Sequence, residues 1–271
     1  MNFARMPLAA AVLLLLLVAC AKKPPVLVPA PAGQWVAVFN GKNLDDWTVK
    51  IAGHDLNDNY RNTFRVEDGL LKVSYDQYEK FGGRFGSIFY NKKLSHYWLR
   101  AEYRFVGTQA AGAPSWAYEN SGIQLHSQPP ETMRKNQEFP VSVEFDIVGA
   151  RLLGRHPTGD VCENGTRVKI SGAVLLDKCS KLSEISVPGD EWVTILAEVQ
   201  GGTRVRQIVN GALVVEYTDL VLDEKDADSG RLLRSGADRS LTEGYISIQA
   251  NSHPIEFRRI EILPLDQVPL N

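Results

Sequence analysis

The sequence predicts an all-β protein whose strands form a sandwich of two antiparallel sheets. From Gln34 onward, short apolar runs rich in β-branched and aromatic residues follow one another, with Gly, Asn and Asp turn signals between them. No long stretch repeats with a helical period. Because a chain of many short strands hides its edges by closing or pairing sheets, these observations favour a two-sheet sandwich.

The predicted strands and turns alternate along the whole domain. Glu67–Gly69 and Val209–Ala212 lie between strand-like runs and are typical of hairpin turns. Asp223–Ser240 is rich in charges, and we expect it to be a solvated loop. The strands are predicted at Trp35–Phe39, Thr63–Val66, Leu70–Val73, Ser87–Tyr90, Tyr97–Val106, Gly122–Ser127, Val141–Val148, Arg167–Ile170, Ala173–Leu176, Trp192–Val199, Val205–Val209, Leu213–Tyr217, Gly244–Ala250 and Ile255–Leu263.

The N-terminus has the pattern of an export signal. A basic segment at residues 1–5 precedes an apolar run at residues 6–18, which is shorter than the roughly 20 residues of a membrane span. Leu17–Cys20 resembles a bacterial lipobox, which implies lipidation of Cys20; ordinary signal cleavage is the alternative. We therefore expect a signal peptide at 1–20, a Pro-rich tether at 21–33 and one domain at 34–271. The protein would be an exported lipoprotein on the periplasmic face of an outer membrane or on the cell surface, touching the membrane only through its lipid anchor.

Charge and cysteine content narrow the possible partners. The formal net charge is −2, and no basic stripe is present, so nucleic acid is not an expected partner. Cys162 and Cys179 remain after Cys20 is assigned to the signal. In an oxidising compartment such a pair predicts a disulfide rather than a metal site or a reactive thiol.

Two strand-like runs, Asn120–His126 and Val141–Val148, carry most of the candidate chemistry. Since side chains alternate along a strand, Glu144 and Asp146 share one face, with their Cα atoms roughly 6.7 Å apart. By the same alternation Asn120, Gln124 and His126 share one face of the first run. If the two strands pair, we expect one polar surface shared by His126, Gln124, Glu144 and Asp146.

Six segments of the domain carry a recognisable pattern, and they lie at Trp35–Trp47, Asn62–Gly69, Phe81–Gly86, Leu99–Phe105, Asn120–Gly122 and His253–Ile260. Together they resemble the 3-keto-disaccharide hydrolase domain family, and the resemblance covers nearly the whole domain. The resemblance implies a concanavalin-like lectin/glucanase jelly roll and cleavage of glycosides whose C3 hydroxyl is oxidised to a ketone.

Glycoside cleavage ordinarily uses two carboxyl groups, and Glu144 and Asp146 supply two on one face. They resemble part of the Glu-x-Asp-x-x-Glu motif of glucanases, but Gly149 stands where the third acid would be. A 3-keto group allows a second route, because it acidifies the C2 hydrogen. A base can remove this proton, and the C1 oxygen then leaves.

For the second route we expect Glu144 as the base and His126 as the acid, with Arg84 or Arg104 near the ketone oxygen. Each residue has a structural alternative; for example, Glu102 and Arg104 could form a cross-strand ion pair. Trp116 follows a Gly- and Pro-rich loop and could stack on a sugar ring or simply pack. The candidate substrate-binding residues are Arg84, Arg104, Glu102, Asn120, Gln124, Trp116, Gln249 and His253.

No cofactor is expected from these motifs. His126, Glu144 and Asp146 could together hold a divalent metal, but no closely spaced ligand motif supports such a site. The main competing function is a lectin-like module that binds carbohydrate without cleaving it. Both hypotheses name a carbohydrate as the partner, and they differ in whether the carboxylates are required.

Overall fold

The computed structural model describes residues 24–149 and 157–267, which form sixteen strands and one α-helix. The predicted signal peptide, including Cys20, lies outside the described residues. In chain order the strands are β1 (Val36–Ala37), β2 (Trp47–Ile51), β3 (Phe64–Glu67), β4 (Leu70–Val73), β5 (Gly86–Tyr90), β6 (His96–Phe105), β7 (Asn120–Ser127), β8 (Ser142–Val148), β9 (Val161–Asn164), β10 (Thr166–Ile170), β11 (Ala173–Val174), β12 (Val193–Gln200), β13 (Arg204–Val209), β14 (Ala212–Leu222), β15 (Tyr245–Ala250) and β16 (Ile255–Pro264).

The strands form two sheets, so the predicted sandwich is confirmed. A ten-stranded sheet runs β11-β10-β14-β13-β12-β6-β16-β4-β3, with β1 also paired to β16. A six-stranded sheet runs β2-β5-β15-β7-β8-β9. The strand pairs of both sheets are antiparallel. The polar strands β7 and β8 are neighbours, as the sequence analysis expects.

The core fills the space between the sheets, and alternation along each strand decides what enters it. Val143, Phe145 and Ile147 of β8 are fully buried and belong to the same apolar cluster as Tyr103 and Phe105 of β6. The residues between them on β8 therefore point away from the core. This alternation directs the polar side chains of the six-stranded sheet toward its outer face.

Three elements differ from the sequence predictions. Strands β2 and β9 occur where none was predicted. The charged segment Asp223–Ser240 is not only a loop, because it contains helix α1 (Ala227–Arg234). The carboxylate of Asp226 caps this helix by accepting hydrogen bonds from the N–H groups of Asp228 and Ser229. A capped helix of this length is too short to show a clear apolar period in the sequence.

The described part of the expected tether, residues 24–33, lies against the ten-stranded sheet. The N–H of Val28 donates to the carbonyl of Gly211, and the N–H of Leu213 donates to the carbonyl of Val26, both at 2.8 Å. Val28 packs on a small apolar cluster that contains Trp98. Within the described residues, no helix is long and apolar enough to cross a membrane.

Candidate active site

A cavity of about 560 Å³ opens on the outer face of the six-stranded sheet, beside the paired strands β7 and β8. In the strand register Gln124 lies opposite Glu144, and Gly122 lies opposite Asp146. Five predicted site residues line the cavity, together with both cysteines and five residues that the sequence analysis did not name. The lining residues are Trp116, Asn120, Glu138, Phe139, Glu144, Asp146, Cys162, Asn164, Lys178, Cys179, Gln249 and Asn251.

Glu144 is the most strongly perturbed carboxyl group at this cavity. Its Oε2 accepts hydrogen bonds from Asn164 Nδ2 at 2.6 Å and from Gln249 Nε2 at 2.7 Å. Burial, helped by the neighbouring negative charge of Asp146, raises the pKa of Glu144 to about 7. The two amide donors and the charge of Lys178 oppose this rise. Glu144 can therefore exchange a proton near neutral pH.

The absence of a side chain at Gly122 makes room for this carboxyl group. A Cβ atom at Gly122 would lie 2.5 Å from Glu144 Oε1 and 2.8 Å from its Cγ. Real Cβ atoms do not approach other heavy atoms so closely, so any larger residue would displace the Glu144 side chain. Gly122, which lies opposite Asp146 in the sheet, thus leaves space for the side chain of Glu144.

Asp146 belongs to an amide network on the β15 side of the carboxyl pair. Asn120 Nδ2 donates to Asp146 Oδ1 at 3.1 Å. Asn251 Nδ2 donates to Asn120 Oδ1 at 2.8 Å and to Gln249 Oε1 at 2.7 Å. The network links both carboxyl groups through side-chain amides, which fixes their orientation at the cavity floor.

On the β9 side, a disulfide and a lysine form the wall. Cys162 and Cys179 are joined as predicted, across 17 residues of sequence. The bond fixes the chain next to Lys178, whose carbonyl also accepts a 2.8 Å hydrogen bond from the N–H of Glu163 on β9. Lys178 lines the cavity, and its Nζ lies 5.5 Å from the ring centroid of Phe139. The carboxyl groups thus lie between side-chain amides on one side and a cation on the other.

Trp116 forms an exposed aromatic rim. Its side chain is 52% exposed and stacks on Phe85, with ring centroids 5.5 Å apart and an interplanar angle of 11°. Phe85 also contacts Phe139, at a centroid distance of 5.2 Å. One face of Trp116 is therefore supported by packing, as a sugar-stacking platform requires.

His126 does not share this surface, so that expectation is wrong. The register of β7 against β15 shifts around this residue, and its backbone has a φ of 50°. The ring is buried on another side, where Nε2 lies 3.0 Å from the carbonyl oxygen of Gly201. Burial lowers the pKa of His126, which favours the neutral ring. The alternation rule fails here because it assumes a regular strand.

Glu102 and Arg104 also lie away from the cavity, on the outer face of the ten-stranded sheet. Glu102 accepts a 2.5 Å hydrogen bond from Arg258 Nε, and Arg104 Nε donates to Glu256 at 2.9 Å. Arg104 further covers the ring of Trp192, with 4.7 Å between its Cζ and the centroid. The cross-strand ion pairs of the structural alternative are present, although their partners come from β16.

Three further candidates do not line the cavity. Gln124 is buried, and its Oε1 accepts hydrogen bonds from the hydroxyls of Ser87 and Ser247. Arg84 donates to the carbonyl of Phe81 and lies over the ring of Tyr60. His253 packs between Phe105 and Tyr118. Arg84 and His253 are thus engaged in local packing, and the expectation that they bind substrate has no support in their positions.

No group of three or more His, Cys, Asp or Glu side chains suited to a metal ion occurs in 24–149 or 157–267. The triad considered in the sequence analysis does not form, because His126 points away from Glu144 and Asp146. The cavity instead offers carboxyl, amide and ammonium groups.

Comparisons with known proteins agree with the fold and with the resemblance. A family model for the 3-keto-alpha-glucoside-1,2-lyase-like domain matches residues 34–263. None of the curated proteins matches the sequence significantly.

Solved structures of related shape include a candidate glycosyl hydrolase from Parabacteroides distasonis, with 18% identity, a TM-score of 0.50 and coverage of 86% of this chain and 94% of that chain. A second candidate glycosyl hydrolase from the same organism has 17% identity and a TM-score of 0.48, covering 86% and 100%. A β-glucanase from Bacillus licheniformis has 12% identity and a TM-score of 0.47, covering 86% and 99%. At 18% identity, the first Parabacteroides distasonis structure shows a shared fold and nothing further.

Proposed function

Because the chain belongs to the 3-keto-α-glucoside-1,2-lyase-like domain family, we propose that it cleaves the C1–oxygen bond of a 3-keto-glycoside. The observation that carries this proposal is Glu144, a buried carboxyl group with a pKa of about 7 at the floor of a cavity rich in hydrogen-bond donors. A general base works best when its pKa lies near the working pH.

The reaction begins with removal of the proton on C2, which the C3 ketone makes acidic. Glu144 accepts this proton, and the electrons of the C2–H bond form an enolate. The enolate then forms the C1=C2 double bond while the bond from C1 to the leaving oxygen breaks. The leaving oxygen takes up a proton, so one glycoside yields one unsaturated keto sugar and one alcohol. Addition of water to C1 would convert this elimination into net hydrolysis.

The remaining lining residues supply the donors that this chemistry needs. Negative charge develops first on the ketone oxygen and then on the leaving oxygen, and fixed donors lower the barrier most when they point at such atoms. On one side of Glu144, Asn120 Nδ2 and Gln249 Nε2 each carry a second N–H beyond the hydrogen bonds that they donate to Asp146 and Glu144. Lys178 carries an ammonium group on the other side, close enough to lower the pKa of Glu144. Lys178 replaces Arg84 and Arg104 as the cation of the mechanism.

The test compares wild type with Glu144→Gln on a 3-keto-disaccharide and on the same disaccharide with its hydroxyl intact. We expect release from the ketone only, and a loss of about 100-fold or more in the variant, since general-base catalysis contributes about that much. Glu216→Gln, an exposed change on β14, is the matched control and should behave as wild type.

The lectin-like alternative draws on the exposed Trp116 and the amides around it. It predicts sugar binding without release from either substrate, and binding that Glu144→Gln leaves unchanged. That result would replace the enzyme proposal.

We also propose export with a lipid anchor on Cys20, on the strength of the N-terminal sequence alone. Mass spectrometry of the mature N-terminus would show a diacylglycerol adduct on this cysteine. An unmodified N-terminus at another residue would contradict the proposal.

A further inference from the structure

A second cavity, of about 480 Å³, lies beside the first and shares part of its wall. Glu138, Phe139, Asn164 and Lys178 line both cavities. Asn164 is also the donor that bonds to Glu144. The two cavities therefore adjoin at Asn164 and Lys178, next to the carboxyl group of Glu144.

The lining of the second cavity is polar and carries more acidic than basic groups. Four acidic residues line it against two basic ones: Glu138, Glu163, Asp226 and Asp228, with Arg134 and Lys178. The guanidinium of Arg134 is engaged by both carboxylate oxygens of Asp228, at 2.7 and 2.9 Å. Glu163 pairs with Arg167 at 3.0 Å, so the surplus rests on Glu138 and Asp226. Their carboxylate oxygens can accept hydrogen bonds from hydroxyl or ammonium groups, and they repel a negatively charged ligand.

We propose that the second cavity binds the leaving group of the substrate and selects one that is neutral and hydroxyl-bearing, or cationic, over one that is anionic. This inference rests on the proposed function, since it takes the keto sugar to lie over Glu144. The bond that breaks then crosses the shared wall, where Lys178 lies close to the leaving oxygen.

The geometry gives this arrangement a chemical reason. The leaving group departs as an alcohol, so its oxygen needs a proton or a donor as the C1–oxygen bond breaks. The disulfide fixes the backbone beside Lys178, whose side chain lines both cavities. Binding of the leaving group also holds the reacting bond in place. The residues that bind it can therefore increase the rate without contacting the reacting atoms.

The experiment fills the second cavity and leaves the first intact. Asn136 is exposed and lines only the second cavity, so Asn136→Trp should narrow it without disturbing the core. The substrates are the 3-keto forms of methyl glucoside, of a neutral glucose disaccharide, and of the disaccharide whose second ring carries a carboxylate. Lys92→Trp, an exposed change outside both cavities, is the control.

We expect Asn136→Trp to lower kcat/KM for the neutral disaccharide on the order of 10-fold, a size typical of lost pocket contacts, and to leave the methyl glycoside unchanged. Wild type should prefer the neutral disaccharide to its carboxylate analogue, with a preference that weakens as salt is added. An equal loss for methyl glycoside and disaccharide would overturn the subsite, and equal rates for the neutral and anionic disaccharides would overturn its charge selectivity.

If no substrate is cleaved, the proposed function is refuted. A binding measurement then still tests whether the second cavity binds a sugar. Glu144→Gln is titrated with methyl glucoside and with the unoxidised disaccharide, with and without Asn136→Trp. Tighter binding of the disaccharide that Asn136→Trp removes supports the second cavity as a sugar site. Binding of the two ligands with equal affinity overturns it.

Discussion

At the residue scale, the pKa of Glu144 is determined more by the groups around the carboxyl group than by its intrinsic chemistry. Burial and the nearby Asp146 favour its protonated form, whereas Lys178 and the amides of Asn164 and Gln249 favour the charged form. Burial and the charge of Asp146 have the larger effect, so the pKa rises to about 7. A carboxyl group with such a pKa can accept or release a proton near neutral pH, as the proposed base must.

This pKa predicts how the stability of the protein depends on pH. The pKa of Glu144 is about 7 in the folded protein against 4.5 for an ordinary glutamic acid, so protonation favours folding. Its contribution is fully present below pH 4.5 and is lost as pH rises through about 7. Since one pKa unit corresponds to about 1.4 kcal/mol, the loss is on the order of 3 kcal/mol.

Denaturant unfolding between pH 4 and pH 8 measures this effect. Glu144→Gln should be less sensitive to pH over that range than wild type, while Glu216→Gln should follow wild type. Parallel curves for Glu144→Gln and wild type would contradict the raised pKa.

The charge of Lys178 predicts a shift in the pH–rate profile. As a base, Glu144 must be ionised, so activity should rise with pH and level off above about 7. Lys178→Met removes a cation that lowers this pKa, and the midpoint should therefore move to higher pH as kcat falls. A lower kcat with an unmoved midpoint would mean that Lys178 does not act on Glu144.

Residue-level prediction from sequence works where strands are regular and fails where they are not. Alternation alone placed Asn120, Glu144 and Asp146 at one cavity, because β7 and β8 are regular over these positions. The same rule misplaced His126, because the register shift in β7 turns its ring toward Gly201.

At the element scale, the carboxylates belong to a strand that is paired on both edges. β8 lies between β7 and β9, whereas Lys178 lies outside the named strands, next to the disulfide. Neither strand β9 nor helix α1 was predicted from the sequence, although the N-cap of α1, Asp226, lines the second cavity. Short elements defined by caps and cross-links leave little periodic trace, which is why Asn164 and Lys178 were missed.

Removal of the disulfide should affect both stability and catalysis. In the double variant Cys162→Ser with Cys179→Ser, we expect the free energy of unfolding to fall by roughly 3 kcal/mol, the size typical of a short closed loop. We also expect kcat to fall, because the chain beside Lys178 is no longer fixed.

Denaturant unfolding and steady-state kinetics test both effects. Reduction of wild type should reproduce them, and the double variant should be insensitive to the reductant. Lower stability with an unchanged kcat would show that the disulfide does not position Lys178.

At the scale of the whole molecule, the two outer faces of the sandwich differ. The six-stranded sheet presents the cavity, whereas the ten-stranded sheet carries cross-strand ion pairs and is partly covered by residues 24–33. The sequence predicted the sandwich because local patterns determine it. It did not predict the docking of residues 24–33, since contacts between a Pro-rich segment and a distant hairpin have no local signature.

This docking predicts the effect of a truncation. A chain that begins at Gln34 loses the backbone hydrogen bonds of Val26 and Val28 and uncovers part of the apolar cluster around Trp98. We expect its Tm to lie on the order of 5 °C below that of a chain that begins at Pro24. Calorimetry of the two chains is the measurement, and Val28→Asp in the longer chain should reproduce part of the loss. Equal Tm values would show that the segment contributes no stability.

The placement of Glu144 on a doubly paired strand, with Asn136 outside the strands, has a consequence for engineering. Substitutions between Arg134 and Pro140 change the lining of the second cavity and leave the strand that carries Glu144 untouched. A library confined to these residues should therefore yield new leaving-group preferences at a low rate of inactive variants.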